Sequence, residues 1–266
     1  MKKKLMVIAL SFTMVFTMFA FAGCGSSEEA GSDLEYVKGN GKLVVGITDF
    51  APMDYKDDNG EWIGFDADMA KAFAESLGIE AEFIEIDWDS KEMELENKSI
   101  DCVWNGMTLT DAVQEAMACS NAYCNNAQVV VVKADKADKY QDKEACGELN
   151  FAVEAGSAGA EAAAAEGWNA VEVQTQAAAL MEVEAGTADA AIIDLLMAGA
   201  MIGEGTSYTD LAYTCSLTEE QYGAGFRKGS DLAEALNEFL ASAWADGSMQ
   251  AIAEKYGTQE SLLEQK

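Results

Sequence analysis

Apolar positions recur along this chain in two alternating rhythms. Short apolar runs of strand length stand at 42–47, 82–86, 101–105, 128–133, 150–153, 171–173 and 190–193. Between them, apolar residues return every three or four positions, the spacing of one helix face. The clearest case covers 65–77: Met69, Phe73 and Leu77 are spaced by four, Asp66 stands where a cap is expected, and Gly78 follows as a stop. Helices are also predicted around 90–97, from Gly156-Ser157 through the alanine-rich run to Glu166, and over 177–185, 232–245 and 248–255. Alanine is the strongest helix former, so the run 162–165 reads as structure rather than low complexity. Strands alternating with helices imply an α/β fold with a largely parallel sheet. The polar, Lys/Asp-rich stretch 134–144 precedes a second α/β unit, and the last two helices suit a return of the chain to the first.

The first 23 residues have a different pattern. A basic start, Met1 to Lys4, leads into an apolar run from Leu5 to Ala22 and then Gly23. This order describes an export signal. Ser11, Thr13 and Thr17 break the run, which is marginal for a membrane span. Phe21-Ala22-Gly23-Cys24 resembles the lipobox of bacterial lipoproteins, with Phe21 where leucine is usual. That resemblance implies acylation of Cys24 and a lipid anchor on the extracytoplasmic face of the cell membrane. Residues 24–38 are mostly small and polar at the start and are expected to form a flexible tether.

Composition narrows the chemistry. Half of the 266 residues are hydrophobic, enough to bury a core, and the net charge is −30. Three of the 17 basic residues lie in the signal, so the remainder is more acidic still. Such a surface repels phosphate backbones and excludes nucleic acid as an expected partner. There is no histidine, which removes Ser-His-Asp and Cys-His catalysis and the commonest transition-metal ligand. No metal site and no cofactor are expected. Arg227 is the only arginine. Besides Cys24, Cys102, Cys119, Cys124, Cys146 and Cys215 show no zinc spacing. Buried free thiols are the default for these five, with a Cys119–Cys124 bridge left open.

The segment from Gly64 to Leu77 resembles the signature of extracellular solute-binding proteins, family 3, the binding components of polar amino-acid ABC transporters; Ala67 falls where a larger aliphatic residue is usual. Blocks at 46–52, 100–111, 153–157, 185–194, 222–229 and 245–257 agree in order, so the resemblance spans nearly the whole chain after the signal. It implies a two-lobed, type II periplasmic-binding-protein-like α/β fold. Each lobe would be a mixed sheet flanked by helices, and two crossover strands would join them. Lobe 1 is expected over 39–128, lobe 2 with its hinge strands over 129–217, and the return to lobe 1 over 218–266.

The resemblance also implies a site. Phe50 and Trp88 would sandwich the ligand, with Asp49 either touching its polar end or bracing the loop. Backbone amides and hydroxyls at Asn105, Gly106 and Thr108, and at Ser157, Ala158 and Gly159 before a helix, would hold an α-carboxylate. Asp194 would take the α-ammonium, or else cap the helix that follows it. One position departs: five residues after Thr108, where the family normally has a carboxylate-binding arginine, stands Val113. Losing a charge-assisted bond worth about 1.5–3 kcal/mol weakens binding roughly ten- to a hundredfold unless something compensates. Asn105 and the helix N-terminus are candidate substitutes. Alternatively the ligand is a cationic amine with no free α-carboxylate, held by aromatic faces and by Asp49 and Asp194; Trp104 could join such a cage, although core packing suits it better. The expected partners are a small solute and ABC permease and ATPase subunits, with the protein itself a monomer. An enzyme on the same fold is less well supported, since no nucleophile–base pair is visible.

Overall fold

The computed structural model describes residues 31–266; the signal and Cys24 lie outside the described residues. The chain opens with α1 (Asp33–Asn40), β1 (Lys42–Ile47), the short hairpin β2 (Tyr55–Lys56) and β3 (Trp62–Ile63), α2 (Phe65–Ser76) and β4 (Glu80–Glu85). It continues through α3 (Lys91–Glu96), β5 (Cys102–Thr108), α4 (Asp111–Ala116), β6 (Ala118–Cys119) and β7 (Cys124–Asn126). Then come β8 (Gln128–Lys133), α5 (Lys143–Cys146), β9 (Asn150–Glu154), α6 (Ala158–Glu166), β10 (Asn169–Val173), α7 (Gln176–Ala185), β11 (Ala190–Asp194), α8 (Leu195–Met201) and β12 (Leu211–Ser216). The chain closes with β13 (Glu220–Phe226), α9 (Leu232–Asp246) and α10 (Ser248–Tyr256). No helix among the described residues is long and apolar enough to cross a membrane.

The strands form two mixed sheets. The first runs β4-β1-β5-β13-β6, with β7 also pairing β13; the second runs β10-β9-β11-β8-β12. β1 is parallel to β4 and β5, and β13 is antiparallel to β5. In the second sheet β9 is parallel to β10 and β11, whereas β8 is antiparallel to β11 and β12. The chain therefore passes from one sheet to the other at Ala127 and back through 217–219. These two passages are joined: Leu217 donates its amide to the Gln128 carbonyl at 2.8 Å, and Gln128 donates its own to Thr218 Oγ1 at 2.9 Å.

Two expectations change and one open alternative closes. Residues 33–38, placed in the tether, form most of α1. Ser32 caps it by accepting the Glu35 amide, Val37 is buried, and Asp33 pairs with Arg227 at 3.0 Å. Arg227 also pairs with Asp101 at 3.1 Å and donates to the Ile100 carbonyl at 2.8 Å, so the single arginine clamps α1 to the first sheet. Asp66 is not a helix cap. It is fully buried and accepts the Gly106 amide at 2.6 Å and the Tyr123 hydroxyl at 2.7 Å, which ties α2 to the end of β5. Cys119 and Cys124 lie opposite Gly225 and Tyr222 of β13. Three residues of strand separate those points by about 10 Å, beyond the roughly 7 Å between Cα atoms that a disulfide spans. The thiols that do approach each other are Cys146 and Cys215, 3.8 Å apart between their sulfurs.

Candidate functional site

A cavity of about 230 Å³ opens where the C-terminal ends of β1, β5, β9 and β11 converge. Crevices outside the carboxyl ends of strands are where open α/β sheets bind ligands. Phe50, Trp88, Asn105, Gly106, Thr108, Ser157, Ala158 and Asp194 all line it, so eight of the ten expected ligand-binding residues come together. Asp49 does not: it is exposed, and its neighbours Thr48 and Phe50 face the cavity instead. Gly159 does not either. A Cβ there would lie 3.0 Å from both Gln128 Oε1 and the Ile192 carbonyl, so this glycine lets α6 settle on the second sheet. Trp104 is buried in the core against Phe73 and Tyr123.

Asp194 ends an apolar strand at 5% exposure, which is costly for a carboxylate without partners. It has four. Oδ1 accepts from Asn126 and from the Tyr222 hydroxyl, each at 2.5 Å, and from Gln128 at 3.1 Å, while Oδ2 accepts from Gln176. It occupies the N-cap position of α8 but makes no side-chain cap bond, which excludes the cap as its purpose. Burial pushes its pKa well above the usual carboxylate value, and Glu220 adds to the rise, while the hydrogen bonds from Tyr222, Gln176 and Gln128 oppose it.

The loops expected to hold a carboxylate are already engaged on the side of the first lobe. The Asn105 amide accepts the Thr48 amide and hydroxyl at 2.9 and 2.7 Å, and donates to the Thr48 carbonyl at 3.1 Å and Asp54 at 2.7 Å. Its hydrogen-bonding capacity is filled, so it braces β1 to β5 and cannot replace a missing clamp. The Gly106 amide goes to Asp66, and the Thr108 hydroxyl donates to Glu220 at 2.9 Å. Gly106 has φ 53° and a Cβ there would stand 2.5 Å from the Phe50 ring, so glycine is needed for the ring to lie on the backbone. On the second lobe, Ser157 caps α6 by accepting the Ala160 amide at 3.1 Å. The amides of the first helical positions have no intrahelical partner and remain available.

Of the lining residues that had no place in the sequence reading, Lys91 and Glu154 change the chemistry most. Lys91, at 7% exposure, donates to the carbonyls of Trp88 at 3.2 Å and Gly156 at 3.0 Å, and its ammonium lies 4.9 Å from the Trp88 ring centre. Burial lowers its pKa, opposed by Glu92, Glu154, Glu161 and Asp89. Glu154, the last residue of β9, is 3% exposed and its Oε1 has no hydrogen-bond partner. Burial raises its pKa to about 8, with Asp194 adding to the rise. A local signal for Glu154 did exist, since an acid closing an apolar strand is the same feature that singled out Asp194. In all, five acids, Asp89, Glu92, Glu154, Glu161 and Asp194, line the cavity with one ammonium, Lys91. Among the described residues no His, Cys, Asp or Glu cluster is arranged to hold a metal ion.

The cleft is bridged at its lip. Besides Lys91 to Gly156, Gln174 donates to Asp87 at 2.8 Å, and a Cβ at Gly156 would stand 2.8 Å from the Asp89 Cα. The profile of the bacterial extracellular solute-binding proteins, family 3, matches residues 43–259. The chain belongs to that family. Its relatives include the arginine-binding extracellular protein ArtP of Bacillus subtilis (strain 168), 28% identical over 91% of this chain and 94% of ArtP. A mutant of ArgBP from T. maritima superposes with a TM-score of 0.78 at 32% identity, over 84% of this chain and 98% of that one. The ancestral amino acid-binding protein AncCDT-1, a precursor of cyclohexadienyl dehydratase, superposes with a TM-score of 0.77 at 31% identity, over 85% and 99%. The fold is accordingly the two-lobed type II α/β architecture, and members of the family bind amino acids for ABC transporters.

Within that family frame, Val113 is an apolar wall. It lines the cavity from the first turn of α4, its amide bonded to Thr110 Oγ1 at 3.3 Å, and packs with Trp88, Met107 and Met117. Arg227 cannot take over the clamp, because it is held in the α1 junction.

Proposed function

We propose that this protein is the substrate-binding component of an ABC importer, anchored through Cys24 at the extracytoplasmic face of the cell membrane. It traps an amino acid or amino-acid-like solute between its lobes and presents it to permease and ATPase subunits as a monomer. The observation that carries this reading is Asp194: a buried carboxylate facing the cavity, its orientation set by donors from β7, β8, α7 and β13. Such a group accepts a ligand ammonium with little reorganisation. Phe50 and Trp88 cover the apolar part of the solute, while Ser157 and the first amides of α6 receive an anionic end. It binds rather than transforms its ligand, and needs no cofactor.

A second reading has specific support. Val113 and the engaged donors of Asn105, Gly106 and Thr108 leave the first lobe with little to offer a carboxylate. These features favour a cationic amine without a free α-carboxylate. A thermal-shift panel of the mature protein tests the reading. A ligand at a hundred times its Kd stabilises by about 2.7 kcal/mol, several degrees in Tm for a chain of this size. Stabilisation by an amino acid or amine is expected, and none from any member of either class refutes it.

A further inference from the structure

The cavity holds one buried carboxyl group with an oxygen that no protein donor satisfies. Glu154 is buried among lining residues, and its Oε1 has no donor. The hydrogen bonds of its neighbours Gln176 and Lys91 go elsewhere, although each keeps an unused N–H and both favour the Glu154 carboxylate. Gln176 Nε2 goes to Asp194, and its Oε1 accepts the Asp194 amide at 2.9 Å. The two hydrogen bonds of Lys91 go to the Trp88 and Gly156 carbonyls. Leaving a buried acceptor unpaired costs about 1–3 kcal/mol, and more for a charged one. Such a group in a binding cavity is stabilised when a ligand supplies the missing donor.

Glu154 and Asp194 do not form one chelate. β9 and β11 run parallel, with Ala190 beside Phe151 and Ala191 beside Ala152. Continuing that register sets Glu154 beside Ile193, one residue before Asp194. Successive side chains of a strand leave on opposite faces, so the two carboxylates depart from neighbouring strands in different directions. Each therefore offers a separate point of attachment. The remaining acids of the lining, Asp89, Glu92 and Glu161, make the cavity more favourable still for positive charge.

We propose that Glu154 is a second carboxylate anchor, and that the ligand carries two cationic groups, one on Asp194 and a distal ammonium or guanidinium on Glu154. This deepens the proposed function and rests on it. The chemical class is a basic amino acid or the corresponding diamine. A neutral side chain could fill the missing hydrogen bond at Glu154 but would not compensate the charge of its ionised form.

Calorimetry on the full mature protein tests this with three probes of nearly one shape: L-arginine, agmatine, which lacks the carboxylate, and L-citrulline, which lacks the distal charge. The wild type is expected to bind arginine or agmatine at least about tenfold more tightly than citrulline, and Glu154→Gln is expected to erase that preference. Preference for arginine assigns a basic amino acid, and preference for agmatine assigns an amine. Titration in buffers of different ionisation enthalpy adds a second readout near neutral pH. Proton release is expected on binding as Glu154, which faces Lys91 and Asp194, ionises beside the cation, and less of it in Glu154→Gln, where Asp194 remains to titrate beside Glu220. The thermal unfolding of ligand-free Glu154→Gln reports whether it folds; a loss of stability with unchanged probe preference assigns Glu154 a structural pairing and overturns the inference. Citrulline or another neutral amino acid binding as tightly as arginine in both proteins overturns the second anchor but leaves the solute-binding reading intact. Absence of binding by every amino acid and amine removes both.

Discussion

Replacing Asp194 by asparagine isolates the charge of the ammonium anchor from its shape. Oδ1 has three donors and Oδ2 has one, Gln176. If the asparagine oxygen takes the Oδ1 position, the three bonds from Asn126, Gln128 and Tyr222 persist. The new amide then meets the Gln176 amide, donor against donor. Gln176 can rotate to accept, but it then gives up the Asp194 backbone amide, now held at 2.9 Å. Either way about one buried hydrogen bond is lost, a cost of roughly 1–3 kcal/mol. Removing a buried charge offsets part of it at neutral pH, because burial makes that charge unfavourable. The net change in Tm is therefore small, within roughly 2–8 °C. Binding suffers differently, since the ligand ammonium loses a charged acceptor worth about 1.5–3 kcal/mol, or between tenfold and a few hundredfold in Kd. Isothermal calorimetry beside a thermal melt separates the two effects. A folded Asp194→Asn protein that binds within threefold of wild type shows that Asp194 is not the ammonium anchor.

Val113→Arg is expected to strengthen ligands with a free carboxylate about tenfold relative to their decarboxylated analogues, read as a ratio of Kd values. An unchanged ratio places the carboxylate, if the ligand has one, away from α4. Arg227→Ala leaves Asp33 and Asp101 buried without their partner, and breaking a buried pair costs about 3–5 kcal/mol. Tm should fall by roughly 6–20 °C, while the folded variant keeps its ligand affinity. Ligand-free stability should decline as pH rises from about 4.5 to 8. Over that interval the unfolded chain has released the proton of Glu154 while the folded chain, with its pKa raised to about 8 by burial, still holds it; Asp194 is shifted in the same direction. Stabilisation by a cationic ligand should grow over the same range, which denaturant titrations at several pH values will show.

Local periodicity carried much of the fold. The four-residue spacing of Met69, Phe73 and Leu77 located α2, and the valine run placed β8, because each element buries one face or both in a single core. Elements without a regular apolar period went unseen: α1 is stabilised by Arg227, 194 positions away from Asp33, and β12 pairs with β8 while keeping Tyr213 exposed. The site was legible as a set of loops through the family resemblance, but the use of each donor was not. Asn105 and Thr108 looked available in sequence and are occupied by Thr48, Asp54 and Glu220.

The sequence alone therefore determined the class of fold, the cleft-lining loops and the absence of an arginine clamp, since these follow from local patterning and residue identity. Only the tertiary structure decided which polar groups are satisfied and which remain open. Hydrogen-bond partners are set by long-range approach: Asp194 draws its donors from positions as far back as Asn126, and Arg227 is consumed at α1. That accounting left Glu154 as the unsatisfied carboxyl in the cavity, a property no single stretch of the chain contains.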